Sequence, residues 1–323
     1  MTDVDVPPPE EIILYEKDPS TRIATITFNR PDQLNIPTIG ARRRYGDLIF
    51  KASMDDDVKV LVVRGVGDHL GSGADLDELM AKQAAGTALY EEFGFTEDDD
   101  VTMPGPRAYR AGGSLLHWYG NVRSGCRSLQ DFKKISILEV KGYCYGWHFY
   151  QAADADLVIS SDDALFGHPA FRYVGYAPRM WQWAMTMGLR KFQEMVFTGR
   201  PFTAQQMYEC NFLNSVVPRD QLEAEVDKYA LACARTRPTD TVFMQKVFFE
   251  IMKQHQGEYM GSLLSAWLES MGPMLRSDED GSPTRLSKET MDAGLNLVVK
   301  DNDSRFPPEW RLSRSGRQKP AND

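Results

Sequence analysis

The chain has 323 residues, of which 42% are apolar and 26% charged, and its formal net charge is −9. This length can bury one large hydrophobic core, and the acidic balance argues against a nucleic-acid-binding protein. Four widely spaced cysteines without a CxxC pair favour a reducing compartment. The sequence shows no secretory signal and no run of the ~18–20 apolar residues that a transmembrane helix needs. We therefore expect a cytoplasmic protein without a membrane segment.

The first part of the chain predicts an arm, a hairpin and a helix, in that order. Residues 1–11 are acidic and rich in proline, which is typical of a loose arm. Two short apolar runs, 12–15 and 22–28, flank a turn-forming cluster and predict a hairpin. Apolar residues at steps of three and four predict an amphipathic helix over 38–54. Its three successive arginines, 42–44, form either a solvated helix face or a contact to the phosphates of a nucleotide-like ligand.

The next element is a predicted strand that is followed by a glycine-rich turn and then a helix. Residues 58–64 (VKVLVVR) predict a buried strand, and residues 65–76 (GVGDHLGSGADL) contain its glycine turn. A helix that begins directly after such a turn presents free backbone N–H groups and the positive end of its dipole. This end can bind an anion, or a carbonyl oxygen that becomes negative in a transition state.

Residues 77–130 form a long acidic segment before the next apolar run. The segment contains Pro104-Gly105-Pro106 and an aromatic cluster at 117–119. We interpret it as a lid over a ligand pocket, because lids are drawn from low-stability loops. A decorative insertion or a subunit contact is the alternative.

A second strand, glycine turn and helix occupy residues 137–169. Gly142 and Gly146 punctuate the chain after a short apolar strand, and residues 147–153 suit a helix. A glycine at such a turn lets the backbone approach another group closely. The same arrangement of free N–H groups is therefore expected at two places in the chain.

Beyond residue 169 the patterns are mainly helical. The Met- and Trp-rich stretch 180–188 is either core or the wall of an apolar pocket. Long amphipathic helices are predicted over 221–235, 239–256 and 258–271. A polar loop, a last helix and a surface tail follow at 272–284, 286–299 and 301–323.

Several short motifs stand in a fixed order along the chain. They are TITFNRP at 25–31 with LN behind it, GSGADL at 71–76, the unit at 137–169, FTG at 197–199, TA at 203–204 and VVP at 216–218. Together they resemble the enoyl-CoA hydratase/isomerase (crotonase) superfamily over residues 22–270. The resemblance implies an α/β fold, a crotonase-like spiral of repeated ββα units with a helical C-terminal oligomerisation region.

On this resemblance the chain divides into four parts. An N-terminal arm covers 1–11, and the crotonase core covers 12–219 with 77–130 as a longer lid-like insertion. The helical region 220–300 is expected to pack the subunits into a trimer or a hexamer. Residues 301–323 are expected to be a surface tail.

The family binds an acyl-CoA thioester with its carbonyl oxygen between two backbone N–H groups. Carried over residue by residue, one donor falls on Ser72 and the other on Trp147, where the family usually has a glycine. The substrate-binding residues implied in the same way are Gly71, Gly73, Asp75, Leu76 and Gly146. The resemblance implies no metal and no permanently bound cofactor, since coenzyme A enters as part of the substrate.

The acid–base groups depart from the family. Hydratases of the family place a glutamate three residues after the second donor, where this chain has Tyr150, and another after the Phe-Gly-x-Pro motif, where it has Ala170. The residues offered instead are Tyr150, as a hydrogen-bond donor, and His168, as a general base near neutral pH. Each is alternatively a packing group: an ordinary helix aromatic, or a buried histidine bonded to backbone. Asp154, one turn after Tyr150, either tunes that tyrosine or bonds a neighbouring loop.

Three classes of function follow. The first is an acyl-CoA enzyme of the hydratase/isomerase family with both usual glutamates replaced, or a hydrolase, decarboxylase or C–C bond hydrolase that uses His168 and Tyr150. The second is a non-catalytic acyl-CoA binder, which the intact turn at 72–76 disfavours. The third is a peptide hydrolase on the same superhelical fold, for which the sequence offers no nucleophile-elbow spacing.

Overall fold

The computed structural model describes residues 6–75, 77–78, 81, 94–96, 98–102, 127–172, 175–271 and 302–318. Outside these residues lie Leu76, most of the lid-like segment 77–130, the polar loop 272–284 and the predicted helix 286–299. Within the described ranges, no helix is both long and apolar enough to cross a membrane.

Nine strands in the described residues form two sheets. They are β1 (Ile13–Asp18), β2 (Ile23–Phe28), β3 (Val60–Gly65), β4 (Ile135–Val140), β5 (Tyr143–Tyr145), β6 (Leu157–Ser161), β7 (Leu165–Gly167), β8 (Phe202–Thr203) and β9 (Ser215–Val217). The larger sheet has the order β1-β2-β3-β4-β6-β9, and the smaller has the order β5-β7-β8.

The larger sheet is parallel except at one edge, where β1 and β2 form the predicted hairpin. Parallel neighbours need crossovers that cover the sheet faces. For this reason β3 and β4 are almost continuously buried, whereas β2 alternates between buried and half-buried positions. In the smaller sheet, β5 and β7 are parallel and β7 and β8 antiparallel.

Eleven α-helices lie in the described residues. They are α1 (Pro9–Ile12), α2 (Ile39–Met54), α3 (Ser128–Asp131), α4 (Trp147–Asp154), α5 (Met180–Met187), α6 (Leu189–Thr198), α7 (Ala204–Glu209), α8 (Leu222–Arg235), α9 (Thr239–His255), α10 (Glu258–Met271) and α11 (Arg314–Arg317). Local signals begin them: the Thr38 hydroxyl accepts the Ala41 N–H at the start of α2, and Thr203 and Gln206 form a capping box on α7. The predictions of α4 and of the long helices α8 to α10 are confirmed to within about one residue at each end.

Two hydrophobic clusters cover the larger sheet. The main cluster joins the hairpin, α2 and α4 to α5 and α6, with Phe28, Tyr45 and Trp183 among its largest buried side chains. The second cluster joins α8 to the other face of the sheet, through residues such as Val62, Ile159 and Val226. Every residue of helix α4 is buried. The second predicted turn, which leads into this helix at Gly146, therefore also lies at the core.

The C-terminal residues 302–318 bond to the core at several points, although their polar sequence predicts a surface tail. The Asp303 carboxylate accepts from the Arg172 guanidinium at 2.9 Å, and the Tyr145 hydroxyl donates to the Leu312 carbonyl at 2.8 Å. Asp303 and Leu312 are buried. These contacts are made by backbone groups and charged side chains, which leave no apolar periodicity in the sequence.

Candidate active site

The two glycine turns predicted from the sequence meet in the structure. Gly71 pairs with the start of β5: its N–H donates to the Tyr143 carbonyl at 2.8 Å, and its carbonyl accepts the Tyr145 N–H at 3.0 Å. At Gly146, with φ of +55°, a Cβ atom would lie 3.1 Å from the Gly73 Cα. Only glycine allows both this backbone conformation and this approach. The turns at 71–73 and 146–147 are therefore in direct contact.

The two predicted oxyanion donors differ in this structure. The Trp147 N–H, at the first position of α4, has no acceptor among the described residues. The Ser72 N–H donates to the carbonyl of Leu34 at 3.1 Å. Leu34 and Asn35 both have left-handed backbone angles, with φ of 51° and 55°, which direct this carbonyl at the turn. One donor is thus open to a ligand, and the other already has an acceptor.

The Trp147 side chain lies in the core. It is buried, and its ring packs edge-on against Tyr45 at 5.1 Å and Phe28 at 5.7 Å between ring centroids. Its bulk is therefore accommodated by the core that holds α2 and β2. The indole ring therefore points into the core, while the Trp147 backbone N–H stays at the start of α4.

Tyr150 and His168 are brought together. The Tyr150 hydroxyl lies 3.0 Å from Nε2 of His168, and both side chains are buried. Burial lowers the pKa of His168 to about 3. The imidazole is therefore neutral throughout the physiological range, and it is a weak base in this environment. Its Nδ1 atom has no hydrogen-bond partner in the part of the chain that the structure describes.

An aromatic wall surrounds this pair. The Trp183 ring lies 5.6 Å from the Tyr150 ring and 5.8 Å from the His168 ring, and Phe171 lies 5.2 Å from His168. Trp183 is fully buried, and its indole N–H donates to the Phe149 carbonyl at 3.2 Å. The Met- and Trp-rich helix α5 is therefore core and also the wall beside Tyr150 and His168.

Asp154 belongs to a buried ionic cluster. The Arg179 guanidinium donates to its carboxylate at 3.0 Å and to the Glu258 carboxylate of α10 at 3.4 Å. Arg127 joins Glu258 at 3.5 Å and Asp131 at 3.0 Å. Burial raises the pKa of Asp154 to about 6, against the lowering effect of Arg179. Of the two roles considered for Asp154, the bond to a neighbouring loop is the one present here.

Asp75 ties the first turn to the loop before α2. Its carboxylate pairs with Arg30 at 2.8 Å, both side chains being largely buried, and its N–H donates to the Pro37 carbonyl at 3.3 Å. In the arginine run 42–44, Arg42 is buried and Arg44 donates to the Ile13 carbonyl at 2.9 Å, so the structure places these two against the protein.

Sequence reasoning missed two participants of this region. The Leu34 carbonyl bonds Ser72, and the only signal for its position was the Leu-Asn pair behind the TITFNRP motif. The His148 ring lies against the first turn from the helix that begins at the second, although sequence reasoning ranked it below the other polar residues near Tyr150 and His168. Across the described ranges, no three His, Cys, Asp or Glu side chains are grouped as metal ligands.

Comparison with known proteins shows which families this chain is similar to. A family model described as enoyl-CoA hydratase/isomerase matches residues 117–261. A mevalonyl-coenzyme A hydratase, sidH, of Aspergillus fumigatus is 25% identical over 302 residues, which cover 92% of this chain and 94% of that protein. A putative enoyl-CoA hydratase, EchA13, of Mycobacterium tuberculosis is 27% identical over 255 residues, 73% of this chain and 72% of that protein.

Solved structures agree. A probable enoyl-CoA hydratase from Mycobacterium thermoresistibile superposes with a TM-score of 0.60 at 27% identity, over 80% of this chain and 94% of that chain. An enoyl-CoA hydratase from Mycobacterium smegmatis superposes with a TM-score of 0.71 at 22% identity, over 90% and 93%. The fold is therefore that of the crotonase-type enoyl-CoA hydratases. The matching family model and the relatives named as hydratases indicate an enzyme, and they confirm the resemblance to the enoyl-CoA hydratase/isomerase superfamily seen in the sequence.

Proposed function

We propose that this chain binds an acyl-CoA thioester with the thioester oxygen at the N–H groups of Trp147 and Ser72, and stabilises the enolate or oxyanion that forms there. The observation that carries the proposal is the contact of the two glycine turns, with a Trp147 N–H at the start of a buried helix that has no acceptor among the described residues. Two relatives are named as hydratases of CoA thioesters, which supports the same substrate class. Coenzyme A enters with the substrate, and no permanently bound cofactor is proposed.

In this proposal the Ser72 N–H breaks its hydrogen bond to the Leu34 carbonyl and donates to the thioester oxygen instead. A neutral hydrogen bond contributes about 0.5–1.5 kcal/mol net, whereas one preorganised donor to a developing oxyanion contributes about 2.7–4 kcal/mol. The exchange is therefore favourable in the transition state even where it is near neutral for the bound substrate. The remaining turn residues, Gly71, Gly73, Asp75 and Gly146, position the turns in this proposal.

The acid–base chemistry proposed here runs through Tyr150, with His168 as its partner. Activation of water needs a base, and a buried imidazole whose pKa is about 3 is a poor one. A tyrosine hydroxyl held at 3.0 Å from that imidazole can instead donate a hydrogen bond or a proton to an enolate. Among the alternatives, this favours an enolate-protonating reaction such as decarboxylation over water attack on a thioester.

A panel of acyl-CoA thioesters in heavy water tests the reaction class. Enoyl, 3-oxoacyl, 2-carboxyacyl and saturated thioesters are incubated with the protein, and the products are read by mass. We expect deuterium at C2 of the product and little hydration of crotonyl-CoA. Failure of every thioester to bind would overturn the proposal, and binding without any conversion or exchange would leave the non-catalytic binder.

Gly73→Ala is expected to lower the affinity for butyryl-CoA at least tenfold. Gly73 has φ of +126°, which an L-residue adopts only at a cost of about 1–3 kcal/mol, so the Ser72 peptide shifts. Gly257→Ala is the matched control, because Gly257 also has positive φ and open space around it but lies between α9 and α10. Calorimetry that finds equal affinity for Gly73→Ala and the control would contradict the placement of the ligand.

The oligomeric state proposed is a trimer or a pair of trimers. Helices α9 and α10 carry large apolar side chains that are each at least half exposed: Phe243, Met244, Phe248, Phe249, Ile251, Met260 and Leu264. Patches of this kind mark association surfaces. Light scattering should therefore give about 110 kDa or about 220 kDa, three or six times the 36.6 kDa chain.

Phe248→Glu should shift this mass downward. Met54→Glu is the control, since Met54 is also exposed, at 72% against 58% for Phe248, but lies on α2. A single 36.6 kDa species at micromolar concentration would exclude the proposed assembly.

A further inference from the structure

His148 is the second residue of α4 and lies between the two turns. Its side chain is fully buried, and the ring meets Phe28 edge-on at 4.9 Å and Trp147 at 5.2 Å between centroids. Two nearly perpendicular aromatic contacts leave the imidazole a single orientation.

Gly71 provides the space for this ring. A Cβ atom at Gly71 would lie 2.2 Å from Cε1 and 2.5 Å from Nδ1 of His148. These distances are far below van der Waals contact, so no other residue fits at position 71 while His148 keeps its place. The missing side chain at Gly71 is therefore what leaves room for the His148 ring beside the first turn.

A hydrogen bond adds direction to this contact. Nδ1 of His148 accepts the backbone N–H of Gly73 at 3.3 Å. This requires an unprotonated Nδ1 with the proton on Nε2, and burial keeps the ring neutral because it lowers the pKa of His148 to about 3.

The peptide planes of the first turn are then fixed on both sides of Ser72. The plane between Gly71 and Ser72 is held by the Tyr145 N–H at 3.0 Å and by the Leu34 carbonyl at 3.1 Å. The plane between Ser72 and Gly73 is held only by the side chain of His148, among the described residues. That side chain comes from the same helix that begins with the Trp147 N–H.

We propose that His148 is a positioning residue, which sets the direction of the Ser72 turn relative to the Trp147 N–H so that both donors converge on one thioester oxygen. The inference rests on the proposed function of these donors. The His148 imidazole, which accepts from Gly73, links the first turn to the helix that begins at the second turn.

The test compares His148→Asn, His148→Gln and His148→Leu. Asparagine can place an acceptor where Nδ1 stands, glutamine moves it one bond further, and leucine removes it. The readout is the carbonyl stretch of bound butyryl-CoA with a ¹³C-labelled thioester carbon, measured by infrared difference spectroscopy. This saturated thioester reports polarisation without turnover.

In the wild-type protein the bound carbonyl should absorb at lower frequency than the free thioester. His148→Asn should keep most of this shift, whereas His148→Gln and His148→Leu should lose it and lower kcat at least tenfold with a smaller change in KM. If His148 only fills space, the loss of the carbonyl shift should follow side-chain size. His148→Gln should then retain the shift as well as His148→Asn does.

The outcomes separate the two proposals. A wild-type protein that binds butyryl-CoA without any carbonyl shift would refute the proposed function itself. A wild-type shift that His148→Gln retains in full, at unchanged kcat, would overturn the role of His148. The glutamine and asparagine variants decide the matter even if His148→Leu does not fold, because both keep a polar side chain of similar size.

Discussion

Replacing Tyr150 with phenylalanine is expected to lower turnover of the true substrate by about 10²–10⁴-fold, the usual cost of losing one general acid–base group. The change removes only the hydroxyl that lies 3.0 Å from Nε2 of His168, within a wall of aromatic rings. Affinity for the thioester should change less, because binding uses the backbone donors and the coenzyme A moiety. His168→Ala should lower turnover at least tenfold, since it removes the partner that orients the hydroxyl.

Tyr145→Phe is the matched control. Tyr145 is also buried, and its hydroxyl donates to the Leu312 carbonyl at 2.8 Å. The two variants lose similar stability, about 1–3 kcal/mol for an orphaned acceptor, and only Tyr150→Phe should lose turnover. The role of the pair would be refuted if crotonyl-CoA is hydrated at about 10² per second or faster and both site variants retain that rate.

Replacing Arg179 with methionine is expected to destabilise the fold by about 3–5 kcal/mol, because it leaves the buried Asp154 carboxylate without its paired cation and leaves Glu258 with Arg127 alone. The Arg179 side chain is 2% exposed, and the carboxylates of Asp154 and Glu258 that it contacts are 0% exposed. Asp154 already has one oxygen without a partner among the described residues. Urea unfolding followed by fluorescence measures the loss.

The stability that Arg179→Met loses should depend on pH in a defined direction. Burial raises the pKa of Asp154 to about 6 from the 3.8 expected in the unfolded chain. The folded protein therefore binds more protons between these values, and stability falls as pH rises through this window. Without Arg179 the carboxylate is harder to ionise, so the variant's deficit should be larger at pH 8 than at pH 5.

Arg200→Met serves as the control for lost arginine packing. Arg200 is also largely buried, but its partner Glu194 is 34% exposed, so its pairing contributes only about 0.2–1 kcal/mol. A loss for Arg179→Met that matches the control and does not change with pH would show that the ionic cluster is not what holds α4 and α10 together.

Much of the candidate site could be predicted because its signals are local. Gly73 and Gly146 need backbone conformations that few other residues adopt, and each follows an apolar strand. The resemblance also predicted that Tyr150 and Ala170 stand where hydratases of the family have glutamates. The contact between Tyr150 and His168 depends on tertiary structure, because it forms only where β7 brings His168 beside α4.

The remaining features depend on contacts that leave no local pattern. The Leu34 carbonyl reaches Ser72 through two left-handed residues, and a backbone acceptor has no residue type to reveal it. His148 looked like a second helix residue, since its partner Gly73 lies 75 positions earlier in the chain. His168 was predicted as a base from its ordinary pKa, and only the packing of Trp183 and Phe171 around it shows how strongly burial depresses that value.

The docking of residues 302–318 has a consequence for the nascent chain. Arg172 ends the turn that begins directly after His168, and its carboxylate partner Asp303 is 131 residues further on. At a translation rate of about 5–20 residues per second, that carboxylate is synthesised roughly 7–26 s after the arginine. During this interval the Arg172 guanidinium can bond the Gly199 carbonyl but not yet the Asp303 carboxylate, and the Tyr145 hydroxyl lacks the Leu312 carbonyl. The contacts behind the His168 turn are therefore completed after the two glycine turns, and a chain that ends before residue 303 lacks the carboxylate that pairs with Arg172.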